Sequence, residues 1–386
     1  MLASLLGARQ ISSPQALTAF GDWGGSTTET WSGKPVTPSS ALQHLTVYGC
    51  NRFICDGIST LPVDVYRKGS DGSAVPVTTP AVLEMPAPYL DIVSWLTQVL
   101  TSLLIAGNFY GFRQYSGGLT PDAVVPIDPT SVQVNMDRGR KVFVINGDRF
   151  SSFEILHVPG VMFPGSLVGM SPVEAARQTI GAGMSAQEFG AKFFGQGTTL
   201  SGVIEVPHEL TPEQATRLAS AWARKHGSAS KSHLPGVLEG GSTWKPTQLS
   251  NEQSQFLETR QYTASEIAAQ LFLIDPAEMG LPVAGSSLTY TNQEQRNIRK
   301  VQVTFLPWIV RLEKAMSSLT PRGQYVKLNV SGLLRGDTTA RFAAYATGIA
   351  SQFLVPNEAR KFEDWSPLEG GDEVVETAPP ASTPGG

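Results

Sequence analysis

The stretch Leu45 to Arg67, "LTVYGCNRFICDGISTLPVDVYR", holds two periodicities in one short run. Up to Ser59 its apolar residues recur at the helical interval, and a helix is expected from Ala41 to about Ser59. Beyond Leu61, Val63 and Val65 alternate with Asp64 and Tyr66, which is the period of a half-buried strand. The two cysteines of the chain, Cys50 and Cys55, fall inside the helical part. Five residues rotate a helix by about 140° between them, so the thiols point to different faces and neither bridge nor share a metal. They read as small buried side chains of a reducing compartment.

Outward from this stretch the same mixture continues. "DIVSWLTQVLTSLLIAGNFYGF", Asp91 to Phe112, is the most apolar long segment. Ser94, Thr97, Gln98, Thr101, Ser102 and Asn108 interrupt it and Gly107 stops it, which describes a core helix and not a membrane span. "NFYGFRQYSGG", "AVVPIDPTSVQVNMDRGRKVFVING" and "FEILHVPG" then give short β-like runs punctuated by Gly, Pro and Asp. The first half is therefore α+β.

From Ser171 the pattern turns helical. "SPVEAARQTIGAGMSAQEFGAKFFGQG" starts with Ser171 as N-cap and Pro172 at the first helical position, and stops at Gly195 and Gly197. A compact insert follows, in which "SGVIEVP" and "GVLEGGSTWKPT" read as strands around the helix "LTPEQATRLASAWARKHG". That helix is marked at both ends. Thr211 and Gln214 make a capping box around Pro212, and Gly227 ends it after Arg224, Lys225 and His226. A second long helix covers about Asn251 to Ala269. A third runs from Asn292 to about Leu319, with a kink expected at Pro307 and an apolar face of Phe305, Trp308, Ile309, Leu312 and Met316.

Before the third helix lies "GSSLTYTNQEQ", Gly285 to Gln295. Its first half is small and hydroxylated with a single ring, Tyr290, while Thr291 and Glu294 stand at capping-box spacing. A loose loop on a firmly started helix is the expected result. Residues 1–40, rich in Ser, Gly and Thr, and residues 372–386 read as poorly ordered arms. The N-terminus lacks a basic region ahead of its short apolar run, so no leader peptide is expected and the chain reads as cytosolic.

Composition narrows function by exclusion. The chain has 386 residues, 41% of them hydrophobic, enough for a sizeable core and more than one domain. Lys plus Arg number 29 against 33 Asp plus Glu, and the net charge of -4 argues against a protein that holds nucleic acid by neutralising its phosphates. No G-x-x-x-x-G-K-[ST], G-x-S-x-G, H-E-x-x-H or C-x-x-C occurs, which removes the commonest ATPase, hydrolase, metalloprotease and redox-metal signatures. Of the five histidines, His157 sits in an apolar strand pattern and reads as a core or rim residue with a satisfied hydrogen bond. His226 and His233 flank a Ser-rich loop. Asp372 and Glu373 lie in the tail, where they cannot be preorganised for acid–base work. Neither a catalytic residue, nor a cofactor, nor a metal site is expected.

The order of these segments resembles the portal proteins of tailed bacteriophages. The resemblance runs over nearly all of residues 41–372, through "LTVYGCNRFICDGISTLPVDVYR", "LLIAGNFYGFRQ", "EILHVPG" with "LVGMSPVEAARQTI", and "FGQGTTLSGVIEVP". It continues through "QFLETRQYTASEIAAQLFLIDPAEMG" and "SLTYTNQEQRNIRKVQVTFLPWIVRLEKAMSSL" to "LLRGDTTARFAAYATGIASQFLVPNEARKFEDWSPLEGGD". One departure is at Leu273, Ile274, Asp275 and Pro276, where the family tends to have a Gly-Val-Pro turn. The resemblance implies a multidomain α+β portal fold. Its parts would be a flexible arm (1–40), wing (41–170), stem helix (171–197), small α/β clip (198–250) and second stem helix (251–280). A tunnel loop (281–291), a long kinked wing or channel helix (292–324), wing and crown elements (325–371) and a disordered tail (372–386) would complete it.

The resemblance further implies a homo-oligomeric ring, usually a dodecamer, at one capsid vertex of the virion, assembled in the host cytoplasm and without a membrane. Double-stranded DNA would pass through it during packaging and ejection. Its protein partners would be the terminase large subunit, a head-tail adaptor and the major capsid protein. Gly285, Ser286, Ser287, Thr289 and Tyr290 would then line the DNA channel, anchored by Thr291 and Glu294, and Glu239 and Trp244 would lie at the clip's docking surface. Arg296, Arg299 and Lys300 are candidates for a basic band or for a solvated, ion-pairing face. The alternative function is that of another ring-forming head or tail connector.

Overall fold

The computed structural model of the chain describes residues 29–196, 202–207, 209–226, 242–246, 250–281, 290–330, 333, 338–363 and 365–374. The chain divides into two compact units, Met1–Ser286 with Gln302–Leu328, and Ser287–Val301 with Asn329–Gly386.

The first unit opens with a helical turn α1 (Pro38–Ala41) and helix α2 (Leu45–Ser59), then strands β1 (Val63–Lys68) and β2 (Ala74–Pro76), the turn α3 (Ala81–Glu84) and helix α4 (Ile92–Ala106). Strands β3 (Asn108–Gln114), β4 (Ala123–Ile127), β5 (Val132–Asp137), β6 (Arg140–Ile145), β7 (Asp148–Ser151) and β8 (Ile155–Pro159) follow, and the turn α5 (Pro172–Ala175) leads into helix α6 (Arg177–Gln196). The insert is β9 (Gly202–Glu205), α7 (Pro212–His226) and β10 (Thr243–Pro246), and α8 (Ser250–Glu266) comes after it. Helix α9 (Tyr290–Arg299) belongs to the second unit, and α10 (Leu306–Ser317) and β11 (Gln324–Leu328) complete the first.

Local chemistry sets these boundaries. The Asp91 carboxylate accepts the Ser94 N–H at 2.6 Å and starts α4. Gly107, at φ 73°, ends it by donating its N–H to the Leu103 carbonyl. Two tight turns with paired positive φ, at Arg138 and Gly139 and at Asn146 and Gly147, fold β5, β6 and β7 into an antiparallel sheet.

β3 is the centre of the unit because both of its faces are covered. It pairs antiparallel with β4 on one edge and β8 on the other. On one face Phe109 meets the edge of Trp95 from α4 at 5.5 Å, and the Trp95 indole N–H reaches the Val124 carbonyl at 2.9 Å. On the other face Tyr110 and Phe112 meet Phe143 and Phe150, each at 5.9 Å, where the sheet β4-β3-β8 packs on β5-β6-β7. This explains why β3 reads as a continuous apolar run and not as an alternating one. A third sheet, β11-β1-β2, pairs Tyr66 with Tyr325 across its register and stacks their rings at 5.8 Å. Cys50 and Cys55 are buried in α2, and burial pushes their thiols up to about 12 and about 11, which keeps them protonated and unreactive.

Two expectations are corrected here. The arm was expected to be flexible as far as residue 40, yet residues 29–40 lie ordered along α6. Gly181 leaves room for Thr30, with a β-carbon there falling 2.7 Å from its side chain, and Gly183 leaves room for His44 in the same way at 2.6 Å. The Trp31 N–H donates to the Gln178 side chain at 3.0 Å, and Lys34 pairs with Glu188. Residues before 29 lie outside the described ones. The long third helix is also broken one turn ahead of Pro307, by a π-helical stretch at Lys300–Phe305. Proline has no N–H for the Val303 carbonyl and its ring crowds the turn before it, so that turn widens and α10 restarts with Pro307 in its first turn.

In the second unit, helices α11 (Thr338–Ala350) and α12 (Pro356–Phe362) are joined by a fork. Glu363 accepts from Arg341 Nη2 at 3.0 Å and from the Tyr345 hydroxyl at 3.0 Å, and its carboxylate pairs in charge with the guanidinium, Oε1 lying 2.6 Å from Nε. Asn357 clasps the segment that follows, accepting the Leu368 N–H at 2.7 Å and donating to the Leu368 carbonyl at 3.0 Å.

Candidate functional site

Three glycines and one asparagine join the sheets of the first unit to helix α6. Gly107, Gly160 and Gly169 approach so closely that a β-carbon on Gly160 would lie 3.0 Å from the Gly107 carbonyl, and one on Gly107 would overlap the Met170 carbonyl. Asn108 then fastens the loop 160–170, accepting the Gly169 N–H at 2.7 Å and donating to the Gly169 carbonyl at 2.8 Å. Ser171 closes the joint, its hydroxyl donating to the Ile105 carbonyl at 2.9 Å while accepting the Glu174 N–H at 3.2 Å, so the expected cap forms.

His157 is the keystone of this joint. Its ring stacks on Tyr110 at 4.7 Å and 10°, and meets Phe143 edge-on at 5.7 Å. Nε2 donates to Asn108 Oδ1 at 3.1 Å, and Nδ1 accepts from Lys141 Nζ at 3.3 Å, a lysine that also donates to the Leu167 carbonyl at 2.8 Å. Burial and, after it, the Lys141 charge hold the imidazole down to about 3. A ring with both nitrogens engaged and no proton to gain near neutrality is structural, not a general base.

The base of the loop read from "GSSLTYTNQEQ" is built from strained and widened turns. α8 ends in a π-helical turn at Ile267–Leu271, after which Leu273 stands at φ 55°. The Asp275 carboxylate accepts the Ala277 N–H at 3.1 Å and starts a 3-10 turn, Pro276–Met279, closed by Gly280 at φ 69°. The Thr304 hydroxyl donates to the Leu273 carbonyl at 2.5 Å. Helix α2 clamps the same region, since a β-carbon on Gly49 would lie 3.0 Å from Met279, one on Gly57 would lie 2.6 Å from Phe305, and Phe53 and Phe305 are 5.9 Å apart.

Gly285, Ser286, Ser287 and Thr289 lie outside the described residues. Tyr290 is the first residue of α9. Thr291 and Glu294, the expected anchor, follow it within the helix. Of the basic candidates, Arg299 is exposed and Lys300 donates to the Asn297 side chain at 3.4 Å.

In the insert, the expected capping box is present. The Gln214 N–H reaches the Thr211 hydroxyl at 3.4 Å and the Thr211 N–H reaches the Gln214 side chain at 3.1 Å. β9 and β10 pair antiparallel with Trp244 opposite Ile204. Glu239 lies outside the described residues. Among those described, no three His, Cys, Asp or Glu side chains gather as a metal site would require, and no helix is long and apolar enough to cross a membrane.

A sequence model described as "Phage portal protein" matches residues 45–364. The chain belongs to the phage portal protein family. It is 31% identical over 362 residues to a probable portal protein of Streptomyces phage phiC31, covering 88% of this chain and 78% of that one. Against the portal protein of Enterobacteria phage HK97 the identity is 25% over 352 residues, covering 87% and 82%. Among solved structures, a chain in the neck of a native gene transfer agent particle computed with C12 symmetry superimposes with a TM-score of 0.59 at 20% identity, over 86% of this chain and 94% of that one. The crystal structure of an HK97 family phage portal protein from Corynebacterium diphtheriae gives 0.55 at 16% identity, covering 78% and 98%. The mixed α+β architecture is thus that of the portals.

Proposed function

We propose that copies of this chain form the ring at one capsid vertex of a virion, conduct double-stranded DNA through it during packaging and ejection, and dock the terminase, the head-tail adaptor and the capsid protein. The observation that carries this reading is the family match over residues 45–364; the neck structure with C12 symmetry supports a dodecamer. In this reading residues 41–170 are mainly wing, α6 and α8 are stem, and residues 198–250 are the clip. The loop of residues 281–291 is the tunnel loop, followed by the kinked helix and the crown elements. The ring acts by shape and weak contact and not by chemistry of its own. The net charge of -4 suits a channel through which DNA must slide, because many phosphate contacts would pin it. Negative-stain imaging of the purified chain tests the reading: a ring with an axial hole is expected, and a population of single subunits at all concentrations would overturn it.

Two substitutions probe its parts. With Ser286 and Ser287 both changed to Lys, every subunit adds two cations at the loop, and each neutralised phosphate steepens the salt dependence of DNA binding. Rings are expected to assemble while phage heads package slowly or incompletely, the defect easing as salt rises; normal packaging at low salt would take the loop out of the DNA path. Trp244→Ala is expected to weaken terminase or adaptor binding, measured by co-sedimentation, with rings intact. Rings lost along with binding would show that Trp244 serves the fold of the insert instead.

A further inference from the structure

The turn between β6 and β7 carries a chemistry of its own. Asn146 and Gly147 are its two central residues, both exposed and at φ 51° and 90°, the paired positive values that a two-residue hairpin turn demands. In an Asn–Gly pair the glycine's amide nitrogen stands where bonding to the asparagine's side-chain carbon closes a five-membered ring. Three things usually prevent that closure: a bulky following side chain, an N–H already hydrogen-bonded, or a side-chain amide held by a neighbour. All three are missing here. Gly147 has no side chain, and nothing lies within 4 Å of where one would start, so its peptide has room to rotate. Within the described residues neither the Gly147 N–H nor the Asn146 amide makes a hydrogen bond. Other asparagines are secured differently. Asn51 is buried and donates to the Thr101 hydroxyl at 3.2 Å, Asn108 is clamped to both backbone groups of Gly169, and Asn135 is paired with Val142 in a strand ahead of Met136. Asn146–Gly147 is the one Asn–Gly pair in the sequence.

We propose that Asn146 is a site of spontaneous modification, at which the Gly147 nitrogen closes on the Asn146 side-chain carbon and the turn is converted to aspartate and isoaspartate. Solvent base takes the Gly147 amide proton, the nitrogen bonds to Cγ, and the Cγ–Nδ2 bond breaks with Nδ2 leaving as ammonia. Water then opens the cyclic imide. Cleavage of the bond from nitrogen to Cγ leaves an aspartate in the ordinary chain, while cleavage of the bond from nitrogen to the backbone carbonyl leaves isoaspartate, whose chain runs through Cβ and Cγ. The two products differ in what they do to the fold. Aspartate before glycine suits the same turn. Isoaspartate adds a carbon to the main chain, so the turn no longer sets the register of β6 on β7, in which Ile145 pairs with Asp148 and Phe143 with Phe150. Those two phenylalanines pack on Tyr110 and Phe112 of β3, so a change at an exposed tip is passed to the core of the unit. A subunit that is not replaced keeps each conversion.

The test ages the purified full chain in warm, mildly alkaline buffer and maps its peptides by mass spectrometry. The peptide holding Asn146 is expected to gain about 1 Da, ammonia being exchanged for water, and to split into two chromatographic products. Its conversion should run about tenfold or more ahead of every other asparagine, because no other precedes glycine. Asn146→Gly keeps a turn of the allowed kind without the amide. Aged wild type should show a lower urea midpoint than fresh protein, in proportion to its isoaspartate, while aged Asn146→Gly should keep its own. Asn146→Asp installs one product directly and should stay close to fresh wild type. Conversion of Asn146 no faster than that of the other asparagines, or only after the chain is unfolded in urea, would overturn the site. Equal loss of midpoint in aged wild type and aged Asn146→Gly would overturn the link from turn to core.

Discussion

Gly107→Ala is expected to lower the unfolding free energy by roughly 2–5 kcal/mol, the sum of a left-handed backbone and an overpacked site. Two separate costs meet at this residue. Its φ of 73° is one that a side-chain-bearing residue adopts with strain, and the added β-carbon would overlap the Met170 carbonyl, which is backbone and cannot swing aside. Met170 itself is fixed, its N–H donating to the Val161 carbonyl at 2.7 Å. Gly280→Ala supplies the control. Gly280 has nearly the same φ, 69°, but nothing within 4 Å of the added carbon, so it should cost only about 1–2 kcal/mol. Urea titrations of both variants separate the two costs; equal destabilisation would mean that the joint yields and that the close approach of Gly107, Gly160 and Gly169 is not needed.

What was legible in the sequence is what local bonding decides. Asp91 and Gly107 at the ends of α4, Ser171 before α5, and Thr211 with Gln214 at α7 all act over three or four residues, and each appears in the structure where the sequence places it. Pro307 was rightly read as a disruption, but its effect falls on the turn before it, since the carbonyl it orphans lies upstream. The strap of residues 29–40 was not legible at all. Its partners, Gln178 and Gly181, lie well over a hundred residues away, and no composition rule distinguishes a Ser- and Thr-rich arm from a Ser- and Thr-rich strap. The family resemblance supplied fold and class, while the one departure noted within it, at Leu273 to Pro276, turned out to hold a strained leucine.

His157 gives the other large effect, and its sign follows from the direction of its shift. The folded imidazole is held to about 3, well below its ordinary 6.5, so below pH 6.5 the unfolded chain takes a proton that the folded chain refuses. Stability is therefore whole above pH 6.5 and lost progressively as pH falls toward 3, by about 1.4 kcal/mol per unit. His157→Phe keeps a ring between Tyr110 and Phe143 and removes the titration. At pH 7.5 it should be less stable than wild type by about 1–3 kcal/mol, because Lys141 loses its nitrogen acceptor while keeping the Leu167 carbonyl, and Asn108 keeps Gly169. Between pH 6.5 and 5 wild type should then lose about 2 kcal/mol more than the variant, and the two stability curves should converge or cross. His44, also lowered by burial and by Arg260, is present in both chains and cancels from the comparison. Urea midpoints at pH 7.5, 6 and 5 decide the matter. Parallel curves would mean that the ring of His157 is open to water, and that the joint between the sheets and α6 does not depend on a neutral imidazole.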